Sequence, residues 1–171
     1  MEINFIKLSE NAIQPIYGRY GDAGMDLFTA EEITIKPHET VVIPTDIAMS
    51  IPLRYEGQVR PRSGNSLNGV KGCFKLREYQ IETVLGTVIN KVKEECQPYL
   101  RVQLGTIDSN YRGNIGIITY NQEDYEVIVP KGTKLAQLII APVTMIDLML
   151  VDSLESTNRG EKGFGSSDEE V

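Results

Sequence analysis

Apolar and polar positions alternate in short runs along most of the chain. Ile33-Thr34-Ile35-Lys36, Thr40-Val41-Val42-Ile43-Pro44 and Asp46-Ile47-Ala48-Met49-Ser50-Ile51 are β-favouring runs cut by proline and polar turn residues. Residues 55–60, 115–120 and 126–129 alternate with the two-residue period of a half-buried strand. Residues 135–141 are apolar around Gln137, as in a strand buried on both faces. Many short strands with closely spaced turns predict an all-β sandwich, jelly roll or barrel.

One stretch has a different period. Between residues 78 and 96, Ile81, Val84, Leu85, Val88 and Val92 recur at the spacing of a helical stripe, with Glu82, Lys91, Lys93, Glu94 and Glu95 left for solvent. This predicts an inserted amphipathic helical segment, despite a cost of about 1 kcal/mol for Gly86 inside it. Pro98 ends the segment. Residues 155–171 are glycine, serine and charge with one aromatic, Phe164, the composition of a flexible arm. The expected organisation is a β core over 1–154, with an insert at about 70–100, and an arm over 155–171.

Length and composition narrow the function. A chain of 171 residues with 41% hydrophobic and 24% charged residues suits one soluble domain. Its 17 Lys+Arg against 24 Asp+Glu give a net charge of −7, which offers no general attraction to nucleic acid or an anionic membrane. A polyanionic ligand then needs local arginines, backbone N–H groups or a metal cation. The only two cysteines, Cys73 and Cys96, make neither a disulfide framework nor a zinc knuckle. Met1-Glu2-Ile3-Asn4 lacks a basic-then-apolar leader, and with reduced cysteines this sets the expectation of a cytoplasmic protein. The single histidine, His38, sits in a Lys36-Pro37-His38-Glu39 turn and reads as an exposed loop residue. Catalysis is therefore expected from carboxylates and a weakly held metal.

Five segments carry candidate chemistry. Asp22-Ala23-Gly24-Met25-Asp26-Leu27 puts a carboxylate beside a glycine turn. Pro61-Arg62-Ser63-Gly64 follows a strand and can open a short helical turn with an arginine, a hydroxyl and a free N–H for an anion. Gly105-Thr106-Ile107-Asp108-Ser109-Asn110-Tyr111-Arg112-Gly113 reads as a β-hairpin with Asp108 and Tyr111 near its tip. Gly132-Thr133-Lys134-Leu135-Ala136-Gln137-Leu138 is a turn and a strand holding an amide. Arg159-Gly160-Glu161-Lys162-Gly163-Phe164-Gly165-Ser166-Ser167 is a glycine-rich arm. Each alone is ordinary turn chemistry.

Taken in order, these segments resemble the five motifs of the homotrimeric dUTPase family (dUTP nucleotide diphosphatases). P-R-S-G, G-T-I-D-x-x-Y-R-G, A-Q-L and R-G-x-x-G-F-G-S stand in the family's order across residues 3–167, apart from 70–100. The resemblance implies a jelly-roll-like β-barrel, and three subunits sharing three active sites. It implies hydrolysis of dUTP to dUMP and pyrophosphate, which limits uracil in DNA and supplies dUMP for thymidylate. By motif, Asp108 orients and activates the attacking water. Backbone groups at Gly105 and Ile107 hold uracil, and Tyr111 stacks under the deoxyribose. Arg62, Ser63, Gly64 and Gln137 contact the phosphates, and Asp26 holds Mg²⁺ through water. Arg159, Gly165 and Ser166 close over the terminal phosphate, and Phe164 covers the base.

The chain departs from that pattern in places. Arg101-Val102-Gln103-Leu104 stands where an Asn-Ser-Pro run is usual, Lys134 where Arg is common, Asn65-Ser66 for Leu-Ala, and Asp168 after Ser166-Ser167. Ser63 and Asp108 lie 45 positions apart, more than the family needs. The excess resembles inserts of phage and mobile-element members, some of which also bind regulatory proteins. Two other readings are a dCTP deaminase of the same superfamily, and a partner-binding regulator with a vestigial site. The hairpin pattern argues against the first, and the intact Asp108, Tyr111 and Arg159 argue against the second.

Overall fold

The computed structural model describes residues 1–161. In chain order the elements are β1 (Phe5–Lys7), β2 (Ile16–Tyr17), β3 (Met25–Phe28), β4 (Ile33–Ile35), β5 (Thr40–Pro44), β6 (Ile47–Met49), β7 (Tyr55–Pro61), α1 (Ser63–Asn68), β8 (Cys73–Thr83), β9 (Gly86–Cys96), β10 (Leu100–Val102), β11 (Gly105–Ile107), β12 (Gly116–Asn121), β13 (Val127–Val129) and β14 (Lys134–Pro142). The strands form antiparallel sheets in the orders β1-β6, β10-β12-β5, β11-β7-β14-β3-β2 and β4-β13-β8-β9. The result is the expected all-β barrel. No helix among the described residues is long and apolar enough to cross a membrane.

The two-residue period decides which side chains meet inside. In β12, Ile117, Thr119 and Asn121 are buried while their neighbours are partly exposed. They join Leu27, Ile35, Ile43, Ile47, Val59, Val127, Leu135 and Leu138 in one core. Asn121 is tolerated there because its amide nitrogen donates to the carbonyls of Ile35, Lys36 and Tyr125 and its oxygen accepts from the Glu123 N–H.

The helical reading of residues 78–96 is wrong. The segment is the outer part of a two-stranded ribbon in which β8 and β9 pair without a break from Cys73↔Cys96 to Thr83↔Gly86. Gly86 sits at φ 122°, a conformation that L side chains rarely adopt, and it closes the turn at Val84 and Leu85. Thr83, Val84, Thr87, Val88, Ile89 and Val92 are β-branched and suit a pleat. The apparent stripe is split by the fold. Val84 and Leu85 occupy the tip, Ile81 stands opposite Val88, and Val92 stands opposite Arg77. All five stripe residues are exposed in the subunit.

Two further expectations change. Residues 105–113 do not form a hairpin of paired strands. β11 pairs with β7, whereas β12 pairs with β10 and β5, so the loop crosses between sheets. The last strand ends at Pro142, twelve residues before the expected end of the core at 154. The turn after Pro61 is helical as expected, although α1 has no side-chain cap.

Candidate active site

Asp26 on β3 anchors one half of the site. Its side chain is largely buried and both carboxylate oxygens are ion-paired, Oδ1 with Arg62 Nε at 2.8 Å and Oδ2 with Lys134 Nζ at 2.9 Å. Sheet register brings them together. β14 lies between β3 and β7, so Gln137 stands opposite Asp26 on one side and Arg60 on the other. Gln137 donates from Nε2 to the Pro61 carbonyl, at 2.9 Å, and fixes the strand end from which α1 starts. Lys134 also lies 5.5 Å from the centre of the Phe28 ring, a cation–π contact that leaves its charge in place.

α1 is stapled to β14 by a residue that motif reading treated as a mere departure. Asn65 donates from Nδ2 to the carbonyls of Lys134 and Leu135 at 3.0 and 3.2 Å. Arg62, Gly64, Asn65, Asn68, Gly69, Val70, Lys71 and Lys134 line a cavity of about 380 Å³. Three cations line it and the single Asp26 carboxylate is shared by two of them, so a net positive charge remains to favour a polyanion although the chain is acidic overall. Lys71 was not expected here from the sequence. Its only signal is that it closely follows α1.

The second half of the site is the loop after β11. Asp108 is exposed, and its carbonyl accepts the Tyr111 N–H at 3.0 Å. The Tyr111 hydroxyl donates to the Asn114 carbonyl at 3.0 Å, and the Arg112 guanidinium donates to the carbonyls of Ser109 and Tyr111. A Cβ on Gly113 would stand 2.4 Å from the Tyr111 hydroxyl oxygen, so only glycine lets the ring lie across the loop. The loop is tied to the barrel by a reciprocal pair. The Asp46 N–H donates to Asn114 Oδ1, and Asn114 Nδ2 donates to Asp46 Oδ1, while the Ser9 hydroxyl donates to Asp46 Oδ2. Neither Asp46 nor Asn114 was singled out from sequence, because the two lie 68 positions apart.

These halves stand at opposite ends of β7. Ile107 pairs with Gly57, so Asp108, one residue beyond, leaves the sheet six strand positions from Arg62. That is roughly 20 Å at a strand's rise of about 3.3 Å per residue. Within one subunit the structure thus gathers Asp26, Arg62, Ser63, Gly64 and Gln137 in one place, and Gly105, Ile107, Asp108 and Tyr111 in another. Arg159 is exposed near a turn in which the Gly160 N–H donates to the Thr157 carbonyl at 3.1 Å. Phe164, Gly165, Ser166 and Asp168 lie outside the described residues. His38 is the exposed turn residue expected of it, with Nε2 at 2.9 Å from Asp124 Oδ1.

Comparison with known proteins settles the family. The sequence model of dUTPase matches residues 10–76 and 84–168. The chain belongs to the dUTPase family. The deoxyuridine 5'-triphosphate nucleotidohydrolase of Picosynechococcus sp. is 38% identical over 167 residues, covering 98% of this chain and 99% of that protein. The enzyme of that name from Clostridium novyi is 40% identical over 168 residues, covering 98% and 99%. Among solved structures, the Staphylococcus bacteriophage 80alpha dUTPase with dUPNHPP superposes with a TM-score of 0.76 at 30% identity, covering 96% of this chain and 97% of that one. A dUTPase variant from phage phi11 of S. aureus, described with a structural Mg(II) ion, gives 0.69 at 28% identity, covering 91% and 100%. Between its ends at residues 10 and 168, the dUTPase match skips residues 77–83 in the outer part of β8, less than the expected 70–100 insert.

Proposed function

We propose that the cationic corner of one subunit and the Asp108 loop of another form a single active site that hydrolyses dUTP to dUMP and pyrophosphate. Hydrolysis of dUTP is the activity of this chain, as its family membership establishes. The proposal concerns which residues perform it. Arg62, Lys134 and Lys71 attract the triphosphate, and Ser63, Gly64 and Gln137 orient it. Backbone groups of Gly105 and Ile107 hold the uracil edge, and the Tyr111 ring supports the sugar. Asp108 then takes a proton from the water that attacks the α-phosphorus in line, and pyrophosphate leaves. Arg159, with Phe164, Gly165 and Ser166, closes over the terminal phosphate and the base.

The residues present fit a magnesium ion that arrives with the triphosphate. Among the described residues no cluster of three or more His, Cys, Asp or Glu could hold a metal. Asp26 is a single carboxylate already held by two cations, beside a pocket suited to phosphates. Mg²⁺ keeps most of its waters and is commonly held by one carboxylate and substrate phosphates. Asp26 would hold it through water, and the ion would neutralise charge on the phosphates.

The separation of the two clusters along β7 supports the shared-site reading, because it holds the Asp108 loop away from the cationic corner of its own subunit. A second observation agrees. Beyond β14, Leu148, Met149, Leu150 and Leu154 are each at least 85% exposed in a stretch without strand or helix. Such an apolar segment is stable only when it packs on another surface. A homotrimer supplies one.

Subunit mixing tests the sharing. Asp108→Asn and Arg62→Gln chains are each expected to be nearly inactive in pyrophosphate release from dUTP. Co-refolded in equal amounts, they should recover about a quarter of wild-type activity, the share of sites that draw both intact residues from different chains. No recovery, with an affinity tag on one variant co-purifying the untagged other, would place the site within single subunits. Across deoxy- and ribonucleoside triphosphates, including dCTP, only dUTP should be turned over efficiently.

A protein partner at the β8–β9 ribbon is a second reading, favoured by the fully exposed Val84 and Leu85 at its tip. Cys73 is buried in the core, and Phe74 and Lys75 pair with β13, so only the outer part is separable from the barrel. Replacing residues 77–92 by a short turn should leave kcat for dUTP within about tenfold, equivalent to about 1.4 kcal/mol in barrier. A folded variant without turnover would make the ribbon part of the active site.

A further inference from the structure

We propose that Cys73 and Cys96 are a reversible dithiol–disulfide pair that clamps the root of the β8–β9 ribbon to the barrel. Both are free thiols, and they are the only cysteines in the chain. Residues 23 positions apart in sequence are brought face to face by the ribbon's register, which runs unbroken from Thr83↔Gly86 at the turn to Cys73↔Cys96 at the root. Directly opposed residues project their side chains to the same face of an antiparallel pair.

The class of pair follows from the turn. A two-residue turn is closed by a hydrogen-bonded pair, and the two classes alternate along an antiparallel ladder. Ten steps from Thr83↔Gly86, Cys73↔Cys96 is again a hydrogen-bonded pair. Its Cα atoms are then about 5.5 Å apart, within the roughly 4.4–6.8 Å that a disulfide spans. Opposed Cβ atoms in such a pair stand about 5.5 Å apart and a disulfide holds them at about 3.5–4.5 Å, so closing the bond draws the two strands together by about 1 Å at the root.

The two thiols differ in access, which orders the chemistry. Cys73 is fully buried in the core, and Cys96 is partly exposed and packs against that core. The oxidant is a low-molecular-weight disulfide. The Cys96 thiolate attacks one of its sulfurs, the small disulfide bond breaks, and one small thiol leaves with the proton that Cys96 gave up. Cys73 then loses its proton and attacks the Cys96 sulfur of the mixed disulfide, and the second small thiol leaves with that proton. Two protein thiols are oxidised to one disulfide, and one small disulfide is reduced to two thiols.

The surroundings make the clamp slow to close and slow to open. Burial, and then the neighbouring Cys96 thiol, push the Cys73 thiol up to about 12. Burial also raises Cys96, where Glu123 and Glu94 add to the effect while Lys75 and the Tyr125 hydroxyl oppose it. Little thiolate is present near neutrality, so closure should quicken as pH rises. Thiols of high pKa are also poor leaving groups, which protects the closed bond. The root adjoins the phosphate corner, since the Gln97 side-chain amide donates to the Asn68 carbonyl at the end of α1, and the Val70 N–H donates to the Pro98 carbonyl. Closure therefore stiffens the junction of ribbon and α1.

The test incubates the full-length protein with oxidised glutathione at a series of pH values and reads intact mass, peptide linkage and amide hydrogen exchange. The expected product has lost two hydrogen atoms, carries one link between the peptides of Cys73 and Cys96, reverts with excess reduced dithiothreitol, and exchanges more slowly at the root of β8 and β9. Cys73→Ser should stop at glutathione bound to Cys96. A wild-type chain that stops at the same mixed disulfide, or that links only between chains, overturns the pairing. An intrachain link with unchanged exchange at the root overturns the clamp.

Discussion

Asp108→Asn should lower kcat for dUTP by about 10²–10⁴-fold, the usual worth of a general base. The substitution keeps size and polarity but removes the ability to accept a proton from water. The fold should not respond, because Asp108 is exposed and it is the backbone carbonyl that holds the Tyr111 N–H. The loop stays tied to the barrel through Asn114 and Asp46. The KM for dUTP should change little, since the proposed phosphate contacts, Arg62, Lys134 and Lys71, line the other corner of the site. Steady-state pyrophosphate release with saturating Mg²⁺ checks both parameters. An unchanged kcat would remove Asp108 from its role, and a large rise in KM alone would make it a binding residue.

Ending the chain after Leu154 should leave the assembly and the melting temperature unchanged while turnover falls by on the order of 10²-fold or more. Residues 155–161 are exposed and add nothing to the core. The lost segment carries Arg159, Phe164, Gly165 and Ser166. Losing one preorganised donor to developing charge typically costs about 10²–10³ in rate, and an uncovered site also admits water. Light scattering, thermal unfolding and pyrophosphate release on the truncated chain check this together. Full turnover would mean that 155–171 takes no part in the reaction.

How much of this was legible in the sequence depended on the range of the interaction that decided each feature. β5 matches the run Thr40–Pro44, β7, β12 and β13 lie within a residue or so of their alternating runs, and β14 covers the continuous apolar run 135–141, because strand period and apolar run length are local properties. The short β1, β2 and β11 have no such run. They are strands because a partner elsewhere accepts their backbone hydrogen bonds. In residues 78–96 local period misled, since five apolar residues fitted a helix and a bent-back ribbon equally well. Gly86, counted as a cost to the helix, is the turn.

The motifs by themselves determined the family and the candidate chemistry, because Asp26, Arg62, Asp108, Tyr111 and Gln137 sit in short contiguous segments whose order survives in the linear chain. Only the tertiary structure decided how they divide. Strand order puts β14 between β3 and β7, and so lets the Asp26 carboxylate pair with both Arg62 and Lys134. It also recruits Lys71 and Asn65, and leaves Asp108 at the far end of β7. Sheet register likewise set Cys73 opposite Cys96. The physical reason is the same throughout: turn and pleat preferences act over a few residues, whereas neighbours across a sheet are chosen by burying one common core from segments far apart in the chain.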